Sequence, residues 1–202
     1  MTGAILSRIY NPAIVPTRIG RRTALKGGIG LGVGFTLVPR LALGQDDPAS
    51  LRPQAGDLLI KVGDSNKTPL TADDIPIGAT QTMAWAMDPT DRTVRSGTRL
   101  NRMLLMRLDA GKLSAETRSR AADGVVAYTA ICTHTGCEVV EWLADEQVVQ
   151  CPCHFSMFDP KDGARVVDGP APRPLPALPL ELVDGTLVVA KSFTARVGFE
   201  TA

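Results

Sequence analysis

The sequence predicts an all-β fold, an antiparallel β-sandwich or barrel, behind a short N-terminal segment. Many short runs of apolar residues have the length of strands. The 19 Gly and 15 Pro residues punctuate these runs, as expected for sheets joined by tight turns. No repeat recurs at a fixed period, which argues against a solenoid or a propeller.

Two strands are predicted in the first half of the folded part. Residues 46–56 form a polar stretch with two prolines, which we interpret as a linker. The apolar runs 57–62 and 100–108 predict strands. Residues 110–122 form a charged, helix-compatible insertion, and we interpret it as a solvated excursion on the surface.

Two further predicted strands lead directly into cysteines. Residues 124–131 form an apolar run that predicts a buried strand, and Cys132 follows it immediately. Residues 147–150 predict a short strand that ends at Cys151. The fold is therefore expected to fix the positions of both cysteines.

A hairpin is predicted near the C-terminus. Residues 178–182 and 185–190 are apolar runs that flank an Asp184-Gly185 turn, a pair typical of tight β-hairpins.

Four large side chains elsewhere in the chain are assigned to packing rather than to cofactor contacts: Trp85, Trp142, Met103 and Met106.

Charge is distributed unevenly along the chain. Residues 1–44 carry six Lys and Arg and no acid, which leaves 16 basic and 21 acidic side chains, a net charge of −5, on residues 45–202. The folded part thus lacks a basic footprint for nucleic acid, and its single tyrosine cannot form a stacking platform. With 44% hydrophobic and 21% charged residues, the chain is neither globally disordered nor a polytopic membrane protein.

The N-terminal segment has the order of a twin-arginine export signal. Arg21 and Arg22 precede the glycine-laced apolar run 27–38, which is too short to cross a bilayer as a helix. Ala42-Leu43-Gly44 then places small residues, Ala42 and Gly44, at the positions that a signal peptidase reads. We therefore predict a signal in residues 1–44 and a periplasmic domain in residues 45–202.

Two other interpretations of this segment remain open. It could be a basic, disordered arm, although the paired arginines favour a signal. It could also stay uncleaved and anchor the domain to a membrane surface.

All four cysteines and both histidines lie within 23 positions, in two groups. The groups are Cys132-Thr133-His134-Thr135-Gly136-Cys137 and Cys151-Pro152-Cys153-His154. In each group one Cys and one His are one or two residues apart, so a tight turn could aim both at one metal. Sixteen residues separate His134 from Cys151, enough for a hairpin that brings the two turns face to face. A four-ligand set of two Cys and two His leaves a second cysteine in each group.

The two groups match the C-x-H-x-G-C and C-x-C-H boxes, and in this the sequence resembles the Rieske iron-sulfur family. The resemblance continues through residues 155–160, the Gly-Pro-Ala-Pro segment at 169–172 and the closing strands. It implies a Rieske-type antiparallel fold with a small cluster-binding subdomain, about residues 130–172, formed by two loops.

The resemblance also implies one 2Fe-2S cluster per chain. The implied ligands are Cys132 and Cys151 on one iron and His134 and His154 on the other. Cys137 and Cys153 would form a disulfide that clamps the loops, and the hydroxyl of Ser156 would donate to a bridging sulfide. Phe158 departs from the family's quinol-oxidising type, which has a tyrosine at this position.

Two chemical alternatives use the same residues. Two Cys and two His can also form a structural zinc site, but zinc needs neither the extra cysteine pair nor the segment after His154. A cysteine nucleophile with a histidine base lacks an orienting third group.

The resemblance implies an electron carrier rather than a stand-alone catalyst, with no catalytic residue of its own. Its expected acceptor is a c-type cytochrome. The expected donor is quinol through cytochrome b, as in cytochrome bc complexes, or a molybdenum subunit, as in arsenite oxidase. Residues 169–172 resemble the first type, whereas the run Cys-Pro-Cys-His-Phe-Ser-Met-Phe-Asp-Pro and the cleavable signal resemble the second. Soluble dioxygenase ferredoxins are a weaker alternative, since they generally lack both the signal and the extra cysteines.

Overall fold

Residues 47–199, the part described in this computed structural model, form two antiparallel sheets. The strands are β1 (Leu58–Lys61), β2 (Thr82–Met87), β3 (Met103–Arg107), β4 (Val125–Thr129), β5 (Glu141–Leu143), β6 (Val148–Gln150), β7 (Met157–Asp159), β8 (Arg165–Asp168), β9 (Leu180–Val183) and β10 (Thr186–Val189). The one α-helix among these residues is Ala115–Arg118, and the 3₁₀ turns are Pro48–Ser50, Ala72–Asp74, Arg99–Asn101 and Ala110–Lys112. None of these helices is long and apolar enough to cross a membrane. The predicted signal at 1–44 lies outside the described residues.

The larger sheet has six strands in the order β4-β3-β2-β1-β10-β9. Successive side chains of a strand point to opposite faces of a sheet, and at the centre of this sheet the side chains on both faces are buried. On β3, Met103 and Leu105 pack into one core, while Leu104 and Met106 pack into the other. The prediction that Met103 and Met106 fill a core is confirmed, with one methionine on each face.

The smaller sheet has four strands in the order β5-β6-β7-β8. It lies in sequence between β4 and β9, so it forms a subdomain inserted into the larger sheet. The first cysteine group lies in the connection from β4 to β5, and the second lies in the connection from β6 to β7. Cys132 follows β4 closely, and Cys151 comes directly after β6. The all-β prediction is correct.

The predicted C-terminal hairpin is present as β9 and β10. Asp184 and Gly185 have φ values of +49° and +80°, the left-handed pair that a type I′ turn requires. The two tryptophans contribute to packing: the Arg102 guanidinium lies 5.1 Å from the ring centroid of Trp85, and Trp142 packs against the second core.

The predicted linker is wrong for the part that the structure describes. Residues 47–56 are bound to the domain: the Ala49 carbonyl accepts from the Gly97 N–H at 2.8 Å, and the Leu51 carbonyl accepts from Asn101 at 2.7 Å. Arg95, itself buried, donates to the Pro48 carbonyl and forms an ion pair with buried Asp57. These long-range partners hold a segment whose polar composition suggests a free chain.

Two other predictions need adjustment. The strand predicted at 100–108 begins only at Met103, because Arg99–Asn101 forms a 3₁₀ turn. The insertion at 110–122 is not fully solvated, since Leu113 is 4% and Thr117 is 2% exposed.

Candidate metal centre

The first turn, residues 132–137, is closed by two backbone hydrogen bonds between its ends. The Cys132 N–H donates to the Cys137 carbonyl at 2.8 Å, and the Gly136 N–H donates to the Cys132 carbonyl at 3.1 Å. Gly136 has φ +78°, a left-handed conformation in which glycine is unstrained.

The second turn, residues 151–156, repeats the same pattern. The Cys151 N–H donates to the Ser156 carbonyl at 2.9 Å, and the Phe155 N–H donates to the Cys151 carbonyl at 3.0 Å. The fifth residue is again left-handed, with φ +57° at Phe155. Both turns are thus closed by backbone hydrogen bonds within six residues, so part of their shape is set locally.

Each turn begins with a buried free cysteine. Cys132 is 1% and Cys151 is 2% exposed, and neither forms a disulfide. Burial, opposed by the His134 N–H at 3.5 Å from Sγ and reinforced by the adjacent Cys151, raises the pKa of the Cys132 thiol to about 11. The Cys132 thiol is therefore a poor nucleophile at neutral pH, and a bound cation would stabilise it as a thiolate.

The histidines of the two turns meet edge to face. Their ring centroids are 4.6 Å apart with an interplanar angle of 82°. The Nδ1 atom of His134 is buried and finds no hydrogen-bond partner anywhere in residues 47–199. A buried ring nitrogen without a partner is unfavourable, and coordination to a metal removes that cost. Two buried thiols and this nitrogen therefore fit the 2Fe-2S cluster that the sequence implies; His154 is exposed.

A disulfide joins the two turns. Cys137 and Cys153 are bonded, with their Cα atoms 6.5 Å apart and a separation of 16 positions in sequence. Both sulfurs lie within 4.8 Å of the Cys151 sulfur. Since the disulfide occupies two of these three sulfurs, they do not form a ligand set, and the pairing is the one that the resemblance implies.

Ser156 is placed by the Gly-Pro-Ala-Pro segment. Its side chain is fully buried, and its Oγ accepts from the Ala171 N–H at 3.1 Å. A Cβ on Gly169 would lie 2.5 Å from the Ser156 Cα, so only glycine permits this approach. Residues 169–172 thus lie directly against the second turn.

Sequence reasoning missed several side chains that support the site. Arg99 Nη1 donates to the Gly136 carbonyl at 2.6 Å, and the Thr133 hydroxyl donates to the Arg173 carbonyl at 2.7 Å. Tyr128, fully buried, donates to the Pro160 carbonyl at 2.9 Å. No local pattern identifies these pairs, since each joins residues more than 30 positions apart.

Comparison with known proteins identifies the family. Residues 91–179 match the model of the Rieske [2Fe-2S] domain. A cytochrome bc1 complex Rieske iron-sulfur subunit from Streptomyces lividans is 32% identical over 146 residues, which cover 71% of this chain and 85% of that protein. A protein from Haloferax mediterranei, named as a respiratory nitrate reductase subunit Rieske, is 45% identical over 76 residues, covering 37% of this chain and 34% of that protein.

Among solved structures, the ferredoxin of carbazole 1,9a-dioxygenase from Nocardioides aromaticivorans aligns with a TM-score of 0.41 and 19% identity, over 61% of this chain and 94% of that one. This chain spans only about a third of the Haloferax relative. The family model and the Streptomyces relative decide between the iron-sulfur and zinc alternatives. The chain belongs to the Rieske iron-sulfur family, and its cofactor is a 2Fe-2S cluster.

Proposed function

We propose that this protein is the periplasmic Rieske subunit of a respiratory complex, passing single electrons to a c-type cytochrome. The observation that carries the proposal is the pairing of two turns with the same backbone hydrogen-bond pattern, which brings Cys132 and His134 beside Cys151 and His154. An exposed His154 supports it further, because electron transfer requires the redox centre to approach its partner closely.

In this proposal each turn supplies one thiolate and one imidazole. A 2Fe-2S cluster held by these residues would supply one-electron redox chemistry. The buried Nδ1 of His134, which has no hydrogen-bond partner among the described residues, is the atom of that ring that would hold the cluster.

Two donors are consistent with the chain. A bc1-type donor, quinol acting through a cytochrome b, is supported by relatives named as cytochrome bc1 complex subunits. A partner oxidoreductase subunit, such as the molybdenum subunit of an arsenite-oxidase-type complex, is supported by the sequence from Cys151 to Pro160. The relative named as a nitrate reductase subunit supports assembly with a partner oxidoreductase subunit, but nitrate reduction consumes electrons, so a partner of that kind would be an acceptor.

Metal analysis tests the ligand set. Protein made with cluster assembly intact should be red-brown, contain two irons and two sulfides per chain, and give a rhombic electron paramagnetic resonance signal when reduced. His154→Cys should lower the potential strongly or prevent assembly, because it adds a thiolate. A colourless protein with one zinc would refute the proposal.

Isolation of the native complex distinguishes the donors. The tagged chain, purified from its own cells, should bring down either a b-type cytochrome or a molybdenum-containing subunit. Haem spectra and metal analysis identify which one is present. A chain that purifies with neither would contradict the assignment to a respiratory complex.

The location rests on residues 1–44. Twin-arginine export moves folded protein, which suits a cofactor inserted in the cytoplasm, and a disulfide persists in the periplasm. Replacing Arg21 and Arg22 together by Lys should leave precursor in the cytoplasm. Normal export of this variant would refute the twin-arginine route. Mature protein starting near Gln45 in the soluble periplasm would indicate cleavage, and full-length protein in membranes would indicate an anchor.

A further inference from the structure

The first turn is contacted from outside by two residues that are remote in sequence. Gly136 is the point of contact: its carbonyl accepts from Arg99 Nη1 at 2.6 Å. A Cβ added to Gly136 would lie 2.9 Å from Cδ1 of Phe199 and 3.4 Å from Nη2 of Arg99. The ring of Phe199 therefore rests directly on the turn that carries Cys132 and His134.

The C-terminal segment 197–199 is itself held in place. Val197 is 6% exposed, and the Gly198 carbonyl accepts from Arg173 Nη2. Gly198 has φ +90° and lies close to Leu100, the residue after Arg99. The aromatic ring is thus presented by an anchored backbone.

Arg173 connects this segment back to the turn. Its carbonyl accepts from the Thr133 hydroxyl at 2.7 Å, while its guanidinium holds Gly198. The first turn is consequently held on both sides of His134, at Thr133 and at Gly136. We call Arg99, Arg173 and residues 197–199 the C-terminal brace.

The second turn is supported differently. Residues 169–171 contact Ser156, and they lie inside the range 91–179 that matches the family model. Phe199 lies outside that range. Arg99 and Arg173 lie inside the matched range, so it is residues 197–199 of the C-terminal brace that the match to the family does not cover.

We propose that Phe199 and Arg99 are positioning residues for the cluster, acting through the Gly136 backbone on the turn that bears Cys132 and His134. Phe199 restricts opening of the turn and so slows loss of the cofactor. The positively charged guanidinium of Arg99 lies against the same turn. This charge stabilises the reduced cluster, which is more negative than the oxidised one, and so raises the reduction potential. This inference rests on the ligand set of the proposed function.

The role of Phe199 is tested by the lifetime of the cofactor. Phe199→Ala should lose its visible absorbance several-fold faster than the parent at a fixed temperature, and the Gly136 amide should exchange faster with deuterium. Leu182→Ala is the matched control, because Leu182 is 42% and Phe199 is 41% exposed, and Leu182 lies on the remote β9. Equal lifetimes and equal exchange in Phe199→Ala and the parent would overturn the brace.

The role of Arg99 is tested by redox titration. Arg99→Gln should lower the midpoint potential, and Arg99→Lys, which keeps the charge, should restore much of it. Because Arg99 is exposed, the difference should shrink as salt is raised. Equal potentials in all three proteins would overturn the electrostatic role. Failure of the parent to hold two irons would instead refute the ligand set, so parent iron content is measured first.

Discussion

The Ala171 N–H donates to Oγ of Ser156, with 3.1 Å between nitrogen and oxygen. The hydroxyl thus accepts from residues 169–172 and keeps its own proton to donate. Ser156 is fully buried, so that proton must find an acceptor inside the protein. A sulfide of the cofactor is the acceptor that the family resemblance implies.

Ser156→Ala should therefore lower the reduction potential. A hydrogen bond to a charged acceptor contributes about 1.5 to 3 kcal/mol, and about 1.4 kcal/mol corresponds to 59 mV for one electron. The reduced cluster is more negative than the oxidised one, so loss of the hydrogen bond destabilises the reduced state more. The reduction potential should therefore fall by some tens of millivolts, up to about 100 mV.

Redox titration, with the electron paramagnetic resonance signal as readout, measures this drop. Ser192→Ala, at an exposed position, is the control and should leave the potential unchanged. An unchanged potential in Ser156→Ala would show that its hydroxyl donates elsewhere.

Much of the site was predictable because its geometry is local. Both turns are closed by hydrogen bonds within six residues, so the position of each turn could be inferred from its box of cysteine and histidine. The strands leading into Cys132 and Cys151 were predictable for a similar reason, since continuous apolar runs mark buried strands.

Features that depend on distant partners were not predictable. Strand β2 has the sequence Thr-Met-Ala-Trp-Ala-Met, and alanine is depleted in strands, so its conformation is imposed by pairing with β1 and β3. Residues 47–56 look like a free linker because nothing local reveals Arg95 and Asn101 as their partners. Phe199 on Gly136 is likewise visible only in three dimensions.

Removing the disulfide should shorten the lifetime of the cofactor without preventing its assembly. Closing a loop of this size stabilises by up to about 3 kcal/mol in the chain-entropy model, and the cluster already supplies part of that constraint. Cys137→Ser should therefore contain two irons but lose them at a lower temperature than the parent. Thermal bleaching measures this, and equal bleaching temperatures would contradict a clamping role. Alkylation of the unfolded parent before and after reduction should show Cys137 and Cys153 paired.

Tyr128 should make stability fall at alkaline pH. Burial raises the pKa of its phenol in the folded protein, whereas the unfolded chain loses this proton near pH 10. Its contribution is thus complete below pH 10 and decreases above it, by about 1.4 kcal/mol per pH unit while the folded phenol stays neutral.

Tyr128→Phe should be less stable than the parent at pH 7 by about 1 kcal/mol, through loss of the bond to Pro160, but should decline less steeply above pH 10. Apparent unfolding temperatures from pH 7 to 11 test both statements. Parallel curves for the two proteins would mean that the phenol ionises equally in both states.

Phe158→Tyr should raise the potential, which bears on the partner that can donate electrons. Phe158 is fully buried in the core that also contains Cys132 and Cys151, and it cannot donate a hydrogen bond as the tyrosine of the quinol-oxidising type would. A donor to a cysteine sulfur would stabilise the reduced state, by the same argument as for Ser156. The parent should accordingly have a lower potential than tyrosine-bearing relatives.

Tyr128→Phe is the matched control for this experiment. The Tyr128 hydroxyl already gives its one proton to the Pro160 carbonyl, so removing it should leave the potential nearly unchanged. For the same reason, Tyr128 cannot mask an effect at position 158. The added hydroxyl enters a packed core and should cost about 1 to 3 kcal/mol of stability, so the potential is compared only at temperatures where both proteins retain two irons. If Phe158→Tyr retains its irons and its potential does not rise, the ring at 158 does not point its para position at a ligand sulfur.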